Sequence, residues 1–156
     1  MAKPAFHSSI EGAQHSPKGL DGFLAMAQSA GAGGAQPSNY MLEASEDGSK
    51  LKSAKEVKDA FERYSLKLDG ISAHCPFWVH TSAWTGTKSG HPFIHGPNQS
   101  KSPSELEQWY EDYCLRIMDL AAELNVKILR CSGALPLVGK WQRGIHGVSG
   151  RVTVLT

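Results

Sequence analysis

Cysteine is scarce in this chain. Its three residues, at 75, 114 and 131, are too few and too scattered for a disulfide framework or a paired-cysteine zinc site. Long apolar runs are missing as well. The stretch from Met1 to His7 holds no hydrophobic signal core, and no segment approaches the ~20 apolar residues of a membrane span. A reducing, cytoplasmic setting with no membrane partner is the resulting expectation. Charge of one sign is absent too, with 16 Lys plus Arg against 15 Asp plus Glu and a formal charge of +1. That balance argues against a general electrostatic grip on nucleic acid. What is present, 156 residues of which 40% are hydrophobic, is enough to bury one core.

Three helix starts stand out. Ser16-Pro17 offers an N-cap and a first-turn proline, with Leu20, Phe23, Leu24 and Ala27 at helical spacing and Gly31 as a stop. Ser53-Ala54-Lys55-Glu56 matches a capping box ahead of Val57, Ala60, Phe61 and Tyr64. Ser102-Pro103-Ser104-Glu105 opens the longest stripe, from Leu106 through Trp109, Tyr110, Tyr113, Ile117 and Leu120 to Leu124, which reads as core packing. Residues 5–10, 34–37, 66–74 and 126–129 read as strands between them, the last two entered through Ser65 and Asn125. Strand–helix alternation of this kind argues for a parallel sheet, either a barrel or a doubly wound sheet.

One connection is out of rhythm. Residues 75–101 hold Phe77, Trp78, His80, Trp84, His91, Phe93 and His95, and loops this long are uncommon unless functional or disordered. In α/β folds the loops leaving strand C-termini build the site, so this loop is expected to face substrate. His91 and His95 have a ligand-like spacing, yet Pro92 and Gly96 oppose a helix there. His80, His91 and His95 are therefore expected to belong to a solvated loop and not to a zinc site. From 130 onward the chain has four basic and no acidic residues, leaving 12 basic and 15 acidic side chains before it. The two parts carry −3 and +4, and the tail shows no helical periodicity.

Gly34-Ala35-Gln36-Pro37, the run from Leu68 through His74-Cys75-Pro76-Phe77 to Trp78, Trp84-Thr85-Gly86, and Trp109 to Cys114 together resemble the sugar phosphate isomerase/epimerase family. The resemblance covers residues 1–129. It implies the N-terminal half of a xylose isomerase-like (β/α)8 TIM barrel, with about four strands and three helices followed by an irregular tail. A complete barrel takes about 250 residues and eight strands. In the intact family a divalent metal (Mn2+, Mg2+, Zn2+ or Co2+) is held near the ends of the later strands and assists proton transfer on a sugar or polyol. Because those strands are lacking, the fragment is expected to bind no metal and to be inactive. In similar proteins the fourth strand runs on into Pro-Met-Phe-Trp-Gly, whereas here Leu129 precedes Arg130-Cys131-Ser132-Gly133. The latter can be encoded CGA TGT TCT GGG, and the adjacent frame of that string contains ATG TTC TGG. A shifted frame is thus the expected origin of 130–156.

The resemblance and the strand-end positions together nominate substrate-binding residues. His74 closes the third strand and would meet a substrate hydroxyl or phosphate, or ligate a metal as in the apurinic endonucleases of the same superfamily; the plain alternative is a strand-end histidine bonded to the backbone. Trp78 and Trp84 would wall a sugar ring, with His80 beside them. Gln36 ends the second strand and would hydrogen-bond a hydroxyl, while Glu11 and Glu43 follow the first two strands as carboxylates near the mouth. Cys75 reads as a small buried residue. Two rival functions are a metal-dependent phosphodiesterase related to apurinic endonucleases, which the −3 charge opposes, and a non-catalytic fragment that self-associates through exposed sheet edges.

Overall fold

The computed structural model of the chain describes residues 9–11, 19–73 and 94–131. Helices α1 (Gly19–Ser29), α2 (Ala54–Arg63) and α3 (Pro103–Glu123) alternate with strands β1 (Ser9–Glu11), β2 (Gly34–Gln36), β3 (Lys67–Leu68), β4 (Ile71–Ala73) and β5 (Leu129–Cys131). Both capping boxes read from the sequence form in full. Ser53 accepts the Glu56 N–H while Glu56 takes the Ser53 N–H, and Ser102 with Glu105 repeats the exchange at α3. The Ser16-Pro17 start proposed for α1 lies outside the described residues.

All three helices also stop in the same way. At α1 the Gly31 and Ala32 N–H groups bond the Gln28 and Ala27 carbonyls. At α2, Ser65 and Leu66 bond Glu62 and Phe61, and at α3, Asn125 and Val126 bond Ala122 and Ala121. This is the Schellman pattern, which needs left-handed backbone at the residue after the cap. Gly31 (φ 72°), Ser65 (φ 53°) and Asn125 (φ 54°) supply it. Each stop turns the chain at once toward the following strand.

The strands are parallel and lie in chain order. β1 pairs with β2, β2 with β3, and β4 with β5. A bridge between Ser38 and Ser72, with the Ser72 N–H on the Pro37 carbonyl at 2.9 Å, ties β4 back to the end of β2. β3 and β4 are thus two halves of the strand expected over 66–74, interrupted at Asp69-Gly70. The N–H groups of Lys67 and Asp69 meet the carbonyls of Gly33 and Ala35, but the next bond in the series comes from Ser72 to Pro37. Three residues advance on one strand against two on the other, which is a β-bulge. A side chain at Gly70 would press its Cβ to 3.0 Å from the Ile128 carbonyl oxygen.

The bulge sets which side chains meet the helices. Ala35, Leu66, Ile71 and Ala73 are buried in one cluster with Phe23 and Leu24 of α1, Val57 and Phe61 of α2, and Tyr113, Ile117 and Leu120 of α3. Ile10, Leu68 and Leu129 pack against the same cluster. Leu66 and Leu68 before the bulge, and Ile71 and Ala73 after it, share a face only because one extra residue restores the alternation. All three helices therefore cover one face of the sheet. By alternation Gly34, Gln36, Ser38, Ser72 and Arg130 belong to the other, which is polar and carries none of the described helices. A doubly wound sheet has helices on both faces and a reversal of strand order, and neither occurs among the described residues. They form a mixed α/β arrangement and no closed barrel.

The fourth strand falls later than the sequence suggests, at Leu129–Cys131 instead of 126–129. Residues 124–126 are used by the helix stop, and only then does the Ile128 carbonyl reach the Ile71 N–H. β5 consequently runs across the composition break at 130, with Arg130 opposite Ser72 and Cys131 opposite Ala73. Of the first expected strand, over 5–10, Ser9 and Ile10 lie in β1 and the rest is outside the described residues.

Candidate functional site

The loop from β2 to α2 begins with a 3-10 turn, Asn39–Leu42, and then folds back on itself. Glu43 bridges antiparallel to Leu51, and the Ala44 and Lys52 N–H groups bond the Lys50 and Leu42 carbonyls. At its tip the Asp47 carboxylate accepts the Ser49 N–H at 3.0 Å and the Ser49 and Ser45 hydroxyls at 2.7 and 2.8 Å. These donors, the Ser49 N–H foremost, lower the carboxyl to about 2. The tip is a rigid knot of short hydrogen bonds.

Glu43 points from this loop into a buried chain of polar groups. Its Oε1 accepts the Tyr113 hydroxyl at 2.5 Å and lies 2.9 Å from His95 Nε2. Tyr113 Oη in turn accepts Asn39 Nδ2 at 2.8 Å, and His95 Nδ1 lies 2.8 Å from the Tyr110 hydroxyl. A carboxylate only accepts, so the imidazole proton sits on Nε2 and, in the neutral ring, Nδ1 accepts from Tyr110. The order Asn39–Tyr113–Glu43–His95–Tyr110 is fixed by those roles. It joins the β2–α2 loop, the end of the long loop and α3.

The imidazole is enclosed. Rings of Tyr40, Trp109, Tyr110 and Tyr113 lie 5.4 to 6.0 Å from it. Arg116 stacks its guanidinium 5.3 Å from the Trp109 ring centre. Gly48 closes the remaining side. With φ at 73° and only 2.8 Å between an added Cβ and His95 Nε2, that position admits no side chain. The His95 and Glu43 side chains are 5% and 11% exposed. Asn98 Nδ2 adds a second tie between the loops through the Asp47 carbonyl at 3.0 Å. Such a cluster, with both ring nitrogens and Glu43 Oε1 engaged, is built to clamp two loops together more than to meet a ligand directly.

His95 was expected in a solvated loop and is instead buried, because its polar atoms have partners and its ring fills an aromatic cage. The stripe on α3 does pack the core as read from the sequence. Its two buried tyrosines also turn their hydroxyls to Glu43 and His95, which periodicity alone does not reveal. Of the nominated residues, Glu43 enters this cluster. Gln36 is half-buried at the end of β2, with its Oε1 3.3 Å from the Cβ position at Gly70. Glu11 ends β1 in register with Gln36. His74, Trp78, His80 and Trp84, with Cys75 and His91, lie outside the described residues.

Near these positions Ser38 and Asn39 are fully buried, and Ser38 Oγ and Asn39 Oδ1 have no hydrogen-bond partner among the described residues. Ser38 lies on the polar sheet face beside Ser72, and Asn39 on the α3 side. Among the described residues no three His, Cys, Asp or Glu side chains come together as metal ligands. In the Glu43–His95 pair both ring nitrogens and Glu43 Oε1 are already bonded within the chain. No protein-family model matches the chain, and no curated protein matches it.

Proposed function

We propose that residues 1–129 are the N-terminal half of a (β/α)8-type barrel of the sugar phosphate isomerase/epimerase kind, which binds a sugar or polyol at the C-terminal ends of its strands. One observation carries this reading. The described helices cover a single face of an in-order parallel sheet, and the opposite face carries Gln36, half-buried, with the buried Ser38 and Ser72. In a barrel that face is the interior, and its strand C-terminal end is the ligand mouth. Short hydroxyl and amide side chains there suit a neutral polyhydroxylated ligand, whose hydroxyls both donate and accept. The half barrel on its own would bind without turning over.

The test is a thermal-melt titration with a panel of aldoses, ketoses and polyols, alongside an isomerisation assay with added Mn2+. A melting temperature raised by at least one compound in the wild-type chain, lost in Ser38→Leu, and no turnover are the expected results. A panel that shifts nothing overturns the ligand reading. Metal-dependent turnover overturns the inactivity.

A further inference from the structure

On the helix side of the sheet, a cleft of about 250 Å³ lies between the segment leading into α2 and the C-terminal half of α3. Leu51 and Lys52 line one wall, and Arg116, Asp119, Leu120 and Glu123 line the other. Arg116 does not bond as its neighbours on the helix would suggest. Asp112 lies four residues before it and Asp119 three after, both at ion-pair spacing, yet among the described residues it pairs with neither. The guanidinium lies instead over the Trp109 and Tyr113 rings, 5.3 and 5.8 Å from their centres. Its Nε and Nη2, which form one edge of the fork, are buried without a hydrogen-bond partner. Stacking leaves these in-plane donors unused, and a charged donor pair kept from both water and acceptor costs free energy. We propose that the cleft binds a small monocarboxylate, whose two oxygens accept from the Nε–Nη2 edge of Arg116 with the Lys52 ammonium beside them.

The chemistry of the walls selects this ligand. The fork matches two coplanar acceptor oxygens. Because Arg116 is only half-buried, a small turn of its guanidinium over the rings brings that edge to the cleft. Lys52 Nζ donates to the Glu43 carbonyl at 3.1 Å and keeps its other N–H groups for an anion. Asp119 and Glu123 balance these two cations, so a phosphate dianion is repelled where a single negative charge is accepted. Leu51 and Leu120 offer contact to a short hydrocarbon body. The cleft is smaller than the roughly 300–1,000 Å³ of drug-sized ligand sites, which limits the ligand to an acid of a few carbons. It lies apart from the polar sheet face, so the sugar reading neither supports this site nor depends on it.

Titrations of the full chain with sodium butyrate, sodium phosphate and sodium chloride, at neutral pH and matched ionic strength, test the site. In 15N-labelled protein the Arg116 Nε–H signal, assigned through its contacts with the Trp109 ring, should move saturably with butyrate. Phosphate should bind about tenfold more weakly or worse, and chloride should leave the signal in place. Butyrate should also raise the melting temperature of the wild type. Arg116→Lys keeps the charge and the stem but not the fork, and should abolish that rise. Lys52→Gln should weaken butyrate binding by about threefold or more. If Arg116→Lys fails to fold, the Arg116 signal in the wild type and in Lys52→Gln decides. An Arg116 signal that ignores butyrate overturns the proposal. So does a melting rise that survives Arg116→Lys, an affinity that ignores Lys52→Gln, or phosphate bound as tightly as butyrate.

Discussion

At Glu43 one oxygen is shared by a tyrosine hydroxyl and an imidazole, and the quality of that sharing depends on Tyr113. Its hydroxyl donates to Glu43 and accepts from Asn39 at once, within a site it fills at 0% exposure. Replacing Tyr113 by Phe keeps the ring contacts with Trp109 and Tyr110 and removes only the oxygen. The Asn39 amide then loses its acceptor and Glu43 loses one donor in a low-dielectric setting. Destabilisation by about 2 kcal/mol in urea denaturation is expected, as for a buried polar group left short of a partner. A change below about 0.5 kcal/mol would mean that the hydroxyl is not part of the chain of bonds. Little of this cluster was legible in advance. Glu43 was singled out for its distance from a strand end, but His95 is 52 residues away in sequence and its partners sit on a helix whose pattern reports only packing. Contacts between two loops leave no periodic trace, so burial of His95 could not be read from its neighbours Pro92 and Gly96.

Elements were far more legible, because their signals are local. Ser53 with Glu56 and Ser102 with Glu105 declare the starts of α2 and α3 within four residues, and both boxes form. The stops are written less clearly. Gly31 and Asn125 are common choices for left-handed backbone, whereas Ser65 adopts φ 53° without the usual relief of a missing Cβ or a short amide. Its place between α2 and β3 imposes that angle. Ser65→Gly should therefore stabilise the chain by about 0.5–1 kcal/mol, the relief of strain exceeding the added freedom of the unfolded chain. Thermal unfolding of the two proteins checks it, and an unchanged or lower midpoint would show that Ser65 is not strained. The strand ends were misplaced by the same logic. β5 starts at Leu129 because the stop of α3 consumes 124–126, a cost in length that residue preferences for strand do not register.

Over the whole molecule, the parallel alternation was evident from the order of patterns, but the placement of all three described helices on one face of the sheet was not. That placement hangs on Asp69-Gly70. Residues 66–73 place Leu66, Leu68, Ile71 and Ala73 against the helices despite an odd step in the middle. The spacing reads as a break in alternation until the extra residue is recognised. Insertions and deletions at this joint consequently obey a parity rule. Removing Gly70 alone leaves two steps from Leu68 to Ile71 and two from Asp69 to Ser72, so a regular strand keeps Ile71 and Ala73 on the apolar face and Ser72 off it. Such a chain should keep a cooperative melting transition, as should Gly70→Ala, which keeps the count and meets only the 3.0 Å approach to the Ile128 carbonyl. Removing Asp69 and Gly70 together would direct Ser72 into the apolar layer and Ile71 away from it, and should abolish most of that transition. A sharp transition retained after the double deletion would deny the rule. In this segment, a count of residues modulo two decides which side of the sheet is oil and which is water.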